Sequence, residues 1–130
     1  MNLPERFPPD DPREWMNRAR SDLTQAKSQV PGVYLENLCF NAQQAAEKAI
    51  KGVMIACNIE FPYVHDLARL LSLLKEGGES IPATISRASL LTKYATITRY
   101  PGEIRPVSEA EYREAIVIAE AVVQWAEERI

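Results

Sequence analysis

Residues 34–58, YLENLCFNAQQAAEKAIKGVMIACN, decide the fold of this chain. The stretch has no proline and its only glycine is Gly52, so it predicts one long helix of about 24 residues and about 36 Å. One broad face of this helix is apolar and is expected to be buried; it holds Leu35, Leu38, Cys39, Ala42, Ala45, Ala46, Ala49, Ile50, Val53 and Cys57. The other face is expected to be polar, and it holds Asn41, Gln44, Glu47, Lys48 and Lys51.

Two apolar residues, Phe40 and Ile55, fall on the expected polar face of the long helix. Large apolar side chains are unusual on a surface that meets only water. We therefore expect a second contact surface there, made with a partner helix or with another copy of the chain.

The first and last helices are predicted from their caps. Asp11 precedes Pro12, which suits the first position of a helix that ends before Pro31-Gly32. Ser108 and Glu111 match a capping box that opens a helix expected to run to the C-terminus. Apolar residues recur at helical spacing in both segments: Trp15, Ala19, Leu23 and Ala26 in the first, and Tyr112, Ala115, Ile116, Ala119, Val122, Val123 and Ala126 in the last.

Two shorter helices are predicted between residues 65 and 95. His65-Asp66 opens the first of them, and Gly77-Gly78 ends it. Its inward residues are Leu67, Leu70, Leu71 and Leu74, and those of the second are Ile81, Ile85, Ala88, Leu91 and Ala95. Five helices without an alternating strand pattern predict an all-α, mostly up-and-down bundle of four to five helices. Residues 1–10 are expected to form a flexible arm, and residues 11–130 a single helical domain.

Composition and charge limit the function. The 130 residues have a net charge of −3, which gives no general attraction to nucleic acid or anionic membranes. The basic excess is confined to residues 84–107, which have four basic groups and one acidic group. No apolar run approaches the roughly 20 residues that cross a bilayer, and no secretory leader is visible, so we expect a cytoplasmic protein without membrane contact. Cys39 and Cys57 are both expected to be small core residues.

Local motifs of catalysis are absent from the sequence. A single histidine and scattered acids do not provide the ligand spacing of a metal site. Neither a glycine-rich phosphate loop nor a nucleophile motif occurs. We therefore expect no metal and no cofactor.

The first candidate feature is the polar face formed by Gln44, Lys48 and Lys51, which lie within about 60° of one another on the helix. Two ammonium groups and an amide suit the binding of a phosphate or a nucleotide. The alternative is a solvated face with a Glu47–Lys51 pair.

The second feature is His65 at a helix start, where an imidazole suits proton donation near a phosphate. The alternative is a structural role at the helix end, with Asp66 complementing the helix dipole.

The third feature is the basic and aromatic segment that contains Arg99, Tyr100 and Arg105. Such interleaving suits phosphate contact and base stacking. The alternative is that Tyr94 and Tyr100 pack against the end of the bundle while Arg99 binds helix-end carbonyls.

Together these features resemble the HEPN family of small helical domains. The resemblance covers Trp15 to the C-terminus, and it depends on the motifs Gln-Gln-Ala-x-Glu-Lys at 43–48, His-Asp-Leu at 65–67 and Arg-Tyr-Pro at 99–101. It implies a helical bundle that forms homodimers and is often paired with a minimal nucleotidyltransferase, in systems like toxin–antitoxin pairs. Many relatives are metal-independent ribonucleases with an Arg-x4–6-His motif; here no arginine stands five to seven positions before His65, and no histidine follows Arg99.

The leading hypothesis is therefore a non-catalytic module that binds a nucleotide, or the nucleotide-bearing site of a partner nucleotidyltransferase. Phosphate would be held by Lys48, Lys51, Arg99 and Arg105, with Tyr100 stacked on the base and with His65 and Gln44 orienting polar edges. One alternative is a divergent ribonuclease toxin that acts on RNA at a dimer groove through His65 and Arg99. Another is a purely structural dimerisation module.

Overall fold

The computed structural model describes residues 2–96 and 106–130. In these ranges the chain forms five α-helices and one 3₁₀ helix: α1 (Pro12–Lys27), α2 (Leu35–Ala56), α3 (Leu67–Glu76), α4 (Ala83–Ser86), the 3₁₀ helix (Arg87–Ala95) and α5 (Glu109–Glu127). The described residues contain no strand, and the predicted all-α bundle is confirmed. The fourth predicted helix is divided into α4 and the 3₁₀ helix, because apolar residues three apart, such as Ile85, Ala88 and Leu91, satisfy either kind of helix.

The predicted caps explain where the helices begin. The Asp11 side chain accepts from the backbone N–H of Arg13 at 2.9 Å, with Pro12 in the first turn. The Asp66 side chain accepts in the same way at the start of α3. Ser108 and Glu111 complete a capping box at the start of α5. Each cap satisfies backbone donors that have no partner inside the helix.

The central helix is α2, which contacts α1, α3, the 3₁₀ helix and α5. Its predicted apolar face is buried from Leu38 to Val53. The prediction for its polar face is wrong at Glu47 and Lys51, which are only 5% and 6% exposed. These two side chains are covered because residues of the segment between α2 and α3 contact them.

One further prediction about a buried residue is wrong. Cys39 is buried, but Cys57 is exposed, because α2 ends at Ala56 and Cys57 lies past its last turn. In α1 the largest buried residue is Met16, whereas Trp15 is only partly buried. The backbones of α1 and α2 approach closely at Gly52, where a Cβ would lie 3.2 Å from the Cβ of Trp15. This close approach leaves the indole at the edge of the core.

The predicted arm contacts α1 through its described residues. The backbone N–H of Phe7 donates to Glu14 at 2.9 Å, and the indole N–H of Trp15 donates to the Pro9 carbonyl at 2.7 Å. The Arg13 guanidinium lies 4.0 Å from the centre of the Phe7 ring. The flexibility of the arm stays a prediction. In the structure its described residues lie along the first turns of α1.

Candidate functional site

The site is built around the carboxylate of Glu47 on α2. Its Oε1 accepts from Gln43 Nε2 at 2.9 Å and lies 2.9 Å from Nδ1 of His65. Its Oε2 accepts from Lys51 Nζ at 2.9 Å. Gln44 Nε2 donates to Gln43 Oε1 at 2.7 Å, which extends the network to the surface. We call Gln43, Glu47 and Lys51 the buried polar cluster.

Local structure explains this arrangement. Residues 43, 47 and 51 follow one another at intervals of four, so their side chains stack along one side of α2. His65 is positioned by the start of α3, where the Asp66 side chain accepts from the backbone N–H groups of Ala68 and Arg69 at 3.1 and 3.4 Å. A contact with the 3₁₀ helix fixes the same turn, since the backbone N–H of Leu67 donates to Thr92 Oγ1 at 3.1 Å. The histidine is thus presented to α2 by a capped and anchored helix start.

The electrostatics of the cluster keep Glu47 ionised. Burial is the largest influence and raises the pKa of this carboxyl, but hydrogen bonds from Lys51, Gln43 and His65 together outweigh it, so the pKa of Glu47 lies below its ordinary value. Because an ionised carboxylate only accepts hydrogen bonds, Nδ1 of His65 must carry a proton. When the imidazole is neutral, Nε2 is therefore its acceptor, and the side chain is 58% exposed. The cluster thus selects one tautomer and holds the ring at the surface.

The two candidate lysines of α2 are each in an ion pair. Lys48 Nζ lies 2.6 Å from Asp22 Oδ2 on α1, and its side chain is 30% exposed. Lys51 is bound to Glu47 and also lies 5.1 Å from the centre of the Phe61 ring. Of the predicted phosphate-binding set, Gln44 and Lys48 therefore reach the surface, whereas the Lys51 ammonium is directed into the cluster.

Three predicted site residues, Arg99, Tyr100 and Arg105, lie outside the described residues. The described chain before them ends just after Tyr94, which is buried next to Cys39. Burial is the main cause that raises the pKa of the Cys39 thiol to about 11 and that of the Tyr94 phenol to about 12. The chain resumes close to the start of α2, where the backbone N–H of Val107 donates to Glu36 Oε1 at 2.9 Å. Both flanks of the basic segment are thus joined to the N-terminal half of α2.

Sequence reasoning missed Gln43 and Glu47 as members of the site. The sequence does contain a sign of the cluster, since polar residues at 43, 47 and 51 interrupt an alanine-rich helix. A helical wheel alone, however, places Glu47 and Lys51 toward solvent. Tyr63, two residues before His65, is completely exposed.

Neither a metal site nor a membrane span is found in the part of the chain that the structure describes. Residues 2–96 and 106–130 contain no group of three or more His, Cys, Asp or Glu side chains arranged to hold a metal ion. Among the helices of these residues, none has the length and apolarity to pass through a membrane.

The fold and the site define a class of protein: a small all-α bundle whose central helix has a buried polar cluster beneath one exposed imidazole. The family model of the HEPN domain matches residues 12–129, and the chain belongs to the HEPN family.

Two crystal structures of similar proteins have the same fold. TT1696 from Thermus thermophilus is 32% identical, with a TM-score of 0.79 over 92% of this chain and 98% of its own. ST0689, an archaeal HEPN homologue, is also 32% identical, with a TM-score of 0.74 over 92% of this chain and 97% of its own. No curated protein matches the chain.

Proposed function

We propose that this HEPN domain binds a nucleotide, either free or held in the site of a partner minimal nucleotidyltransferase, at the surface around His65. The observation that supports the proposal is the exposed imidazole fixed by a buried, ionised carboxylate. An oriented ring nitrogen forms a directional hydrogen bond to a ligand at a lower entropic cost than a freely rotating side chain. We propose that Gln44 and Lys48, the other predicted site residues of α2 that reach the surface, belong to the same binding surface, which we call the His65 surface.

The energetics of the buried polar cluster support a functional role. Burying an ammonium and a carboxylate costs several kcal/mol per ion, and a buried pair often stabilises a fold no better than apolar residues of the same volume. Lys51 and Glu47 are nevertheless buried on the central helix. The buried Glu47 carboxylate, paired with Lys51, contacts Nδ1 of His65. This contact argues that the cluster is kept to orient the imidazole.

The roles within the proposed site follow from exposure and charge. His65 would bind a polar edge of the ligand, and Gln44 and Lys48 would line the rim. Lys51 would act through Glu47 rather than by touching phosphate. Arg99 and Arg105 would hold phosphate and Tyr100 would stack on the base, as the sequence predicts.

The proposal is tested by calorimetric titration of the protein with AMP, GMP, CMP, UMP and ATP at millimolar concentrations. We expect saturable binding of at least one of them by the wild type, and an affinity at least tenfold lower for His65→Ala. Gln124→Ala, an exposed change on α5, is the matched control and should bind like the wild type. Absence of binding to every nucleotide, with and without the nucleotidyltransferase, would refute the proposal.

A second candidate function, cleavage of RNA, is favoured by the contact between Glu47 and His65. A carboxylate that orients an imidazole is a common arrangement in general acid–base catalysis. Cleavage of a single-stranded RNA oligonucleotide by the purified protein, lost in His65→Ala, would support this candidate. Cleavage that His65→Ala leaves unchanged would exclude it.

We propose that the chain forms a homodimer and that Phe40 and Ile55 contribute to its contact. Both side chains are partly exposed on α2, on the face that also carries polar residues. Light scattering of wild type and Phe40→Glu tests this assembly. A folded Phe40→Glu variant that dimerises as strongly as the wild type would exclude the Phe40 contact.

A further inference from the structure

In the segment between α2 and α3, the side chain of Tyr63 projects into solvent while its neighbours are anchored to the protein. Phe61 packs edge-on against Trp15 with ring centres 5.5 Å apart, and it also lies against the Lys51 ammonium. Val64 packs on the hydrophobic core, and His65 is bound to Glu47. Between these anchors, Tyr63 is 100% exposed.

The backbone at Tyr63 is itself constrained. The N–H of Val64 donates to the carbonyl of Pro62 at 2.9 Å, which closes a three-residue turn with Tyr63 at its apex. The proline ring fixes one backbone angle of its own residue and restricts Phe61 before it. Anchors on both sides and a closed turn leave little backbone freedom to lose when a ligand binds. A rigid tyrosine also offers a large contact area with only two side-chain angles to order.

Tyr63 lies close to the imidazole that the proposed function uses. Two residues span at most about 7 Å of extended chain, so the backbone positions of Tyr63 and His65 lie within the length of one nucleotide. A nucleotide has a planar base at one end and a ribose phosphate at the other, which matches an aromatic ring beside a hydrogen-bonding group. Every nucleobase has a face that can stack on an aromatic ring.

We propose that Tyr63 stacks on one face of the base of the bound nucleotide, in addition to the stacking assigned to Tyr100, while a ribose hydroxyl of the same nucleotide donates to Nε2 of His65. This inference rests on the proposed function and adds to it the binding mode and the moiety recognised. The phenol ring gives affinity for the base with little selectivity among bases, because stacking uses the face of the ring and not the edges of the base.

The test compares ligands with and without a base on two tyrosine variants. AMP, GMP, CMP, UMP and ribose 5-phosphate are titrated into wild type, Tyr63→Ala and Tyr63→Trp. Tyr34→Ala is the matched control, because Tyr34 is also a highly exposed tyrosine, at 77%, located at the start of α2. Far-UV circular dichroism checks that each variant is folded, which is expected because changes to exposed side chains have small effects on stability.

We expect Tyr63→Ala to weaken the binding of the nucleotides by about 5- to 150-fold, the range measured for loss of one base–aromatic stack. Ribose 5-phosphate should bind equally to wild type and Tyr63→Ala, and Tyr63→Trp should keep most of the nucleotide affinity. Nucleotide binding that is unchanged in Tyr63→Ala would overturn this inference and leave the proposed function standing. If Tyr63→Ala instead weakens dimerisation or capture of the nucleotidyltransferase, the tyrosine is a protein contact. That outcome would also overturn this inference and leave the proposed function standing. Failure of every nucleotide to bind the wild type, with and without the nucleotidyltransferase, would overturn both.

Discussion

Replacing Lys51 by methionine removes the cation from the buried polar cluster and leaves the Glu47 carboxylate in place. The two charged atoms are 2.9 Å apart, and their side chains are only 7% and 6% exposed. At an effective dielectric constant of about 20, the Coulomb energy of such a pair is about 6 kcal/mol before the cost of burial is subtracted. Breaking a buried pair costs about 3 to 5 kcal/mol in practice. Since Gln43 and His65 still donate to Glu47, we expect a value near 3 kcal/mol.

The matched control is Lys48→Met on the same helix. Lys48 lies 2.6 Å from Asp22, but its side chain is 30% exposed, so its loss is expected to cost about 1 kcal/mol or less. Both variants keep most of the apolar stem, so the comparison isolates the buried charge. Urea unfolding followed by circular dichroism measures the two free energies. Equal costs for Lys51→Met and Lys48→Met, or a cost below about 1 kcal/mol for Lys51→Met, would refute the reasoning, because a buried carboxylate left without its cation is destabilising.

Three further predictions follow from the cluster, from a cap and from the cysteines. The native pKa of Glu47 lies below the ordinary value of 4.5, so its charge contributes stability above about pH 4.5 that is lost as the pH falls through the native pKa. Wild type should therefore lose stability more steeply on acidification than Glu47→Gln in unfolding experiments, and parallel curves would contradict this. Asp66→Ala should lower the unfolding free energy by about 1 kcal/mol, because two backbone N–H groups lose their acceptor. The control Asp10→Ala, in the exposed part of the arm, should leave the unfolding free energy almost unchanged. Ellman's reagent at pH 8 should label Cys57 in the native protein and Cys39 only in denaturant. The reason is that Cys39 is buried and the pKa of its thiol is raised to about 11. Two thiols that react alike in the native protein would be inconsistent with the fold.

Local sequence patterns predicted most of the fold. The starts of α1, α3 and α5 depend on residues within one turn of each other, such as Ser108 and Glu111, and the structure has all three. The spacing of the leucines in α3 likewise depends on a single helix, and Leu67, Leu70, Leu71 and Leu74 are buried as predicted. Short-range hydrogen bonding and helical period are properties that a sequence displays directly.

The candidate site could be predicted only in part, because it depends on contacts between distant residues. Glu47 and His65 are 18 positions apart, and no local pattern shows that the segment after α2 folds back onto that helix. The wheel therefore assigned Glu47 and Lys51 to solvent. His65 was found because it is the only histidine and precedes a helix cap, whereas Tyr63 has an exposed position that only the folded loop defines.

The most direct test of the account is the ¹⁵N NMR spectrum of the imidazole of His65, followed during titration with AMP. The sequence has one histidine, so the two ring nitrogens give one unambiguous pair of signals. At a pH where the ring is neutral, we predict a proton on Nδ1 and a free lone pair on Nε2, with this preference reduced in Glu47→Gln. AMP, or whichever nucleotide of the calorimetric series the wild type binds, should then shift the Nε2 signal. A proton on Nε2, or signals that every nucleotide of that series leaves unchanged at saturating concentration, would contradict the claim that Glu47 holds His65 ready for a nucleotide.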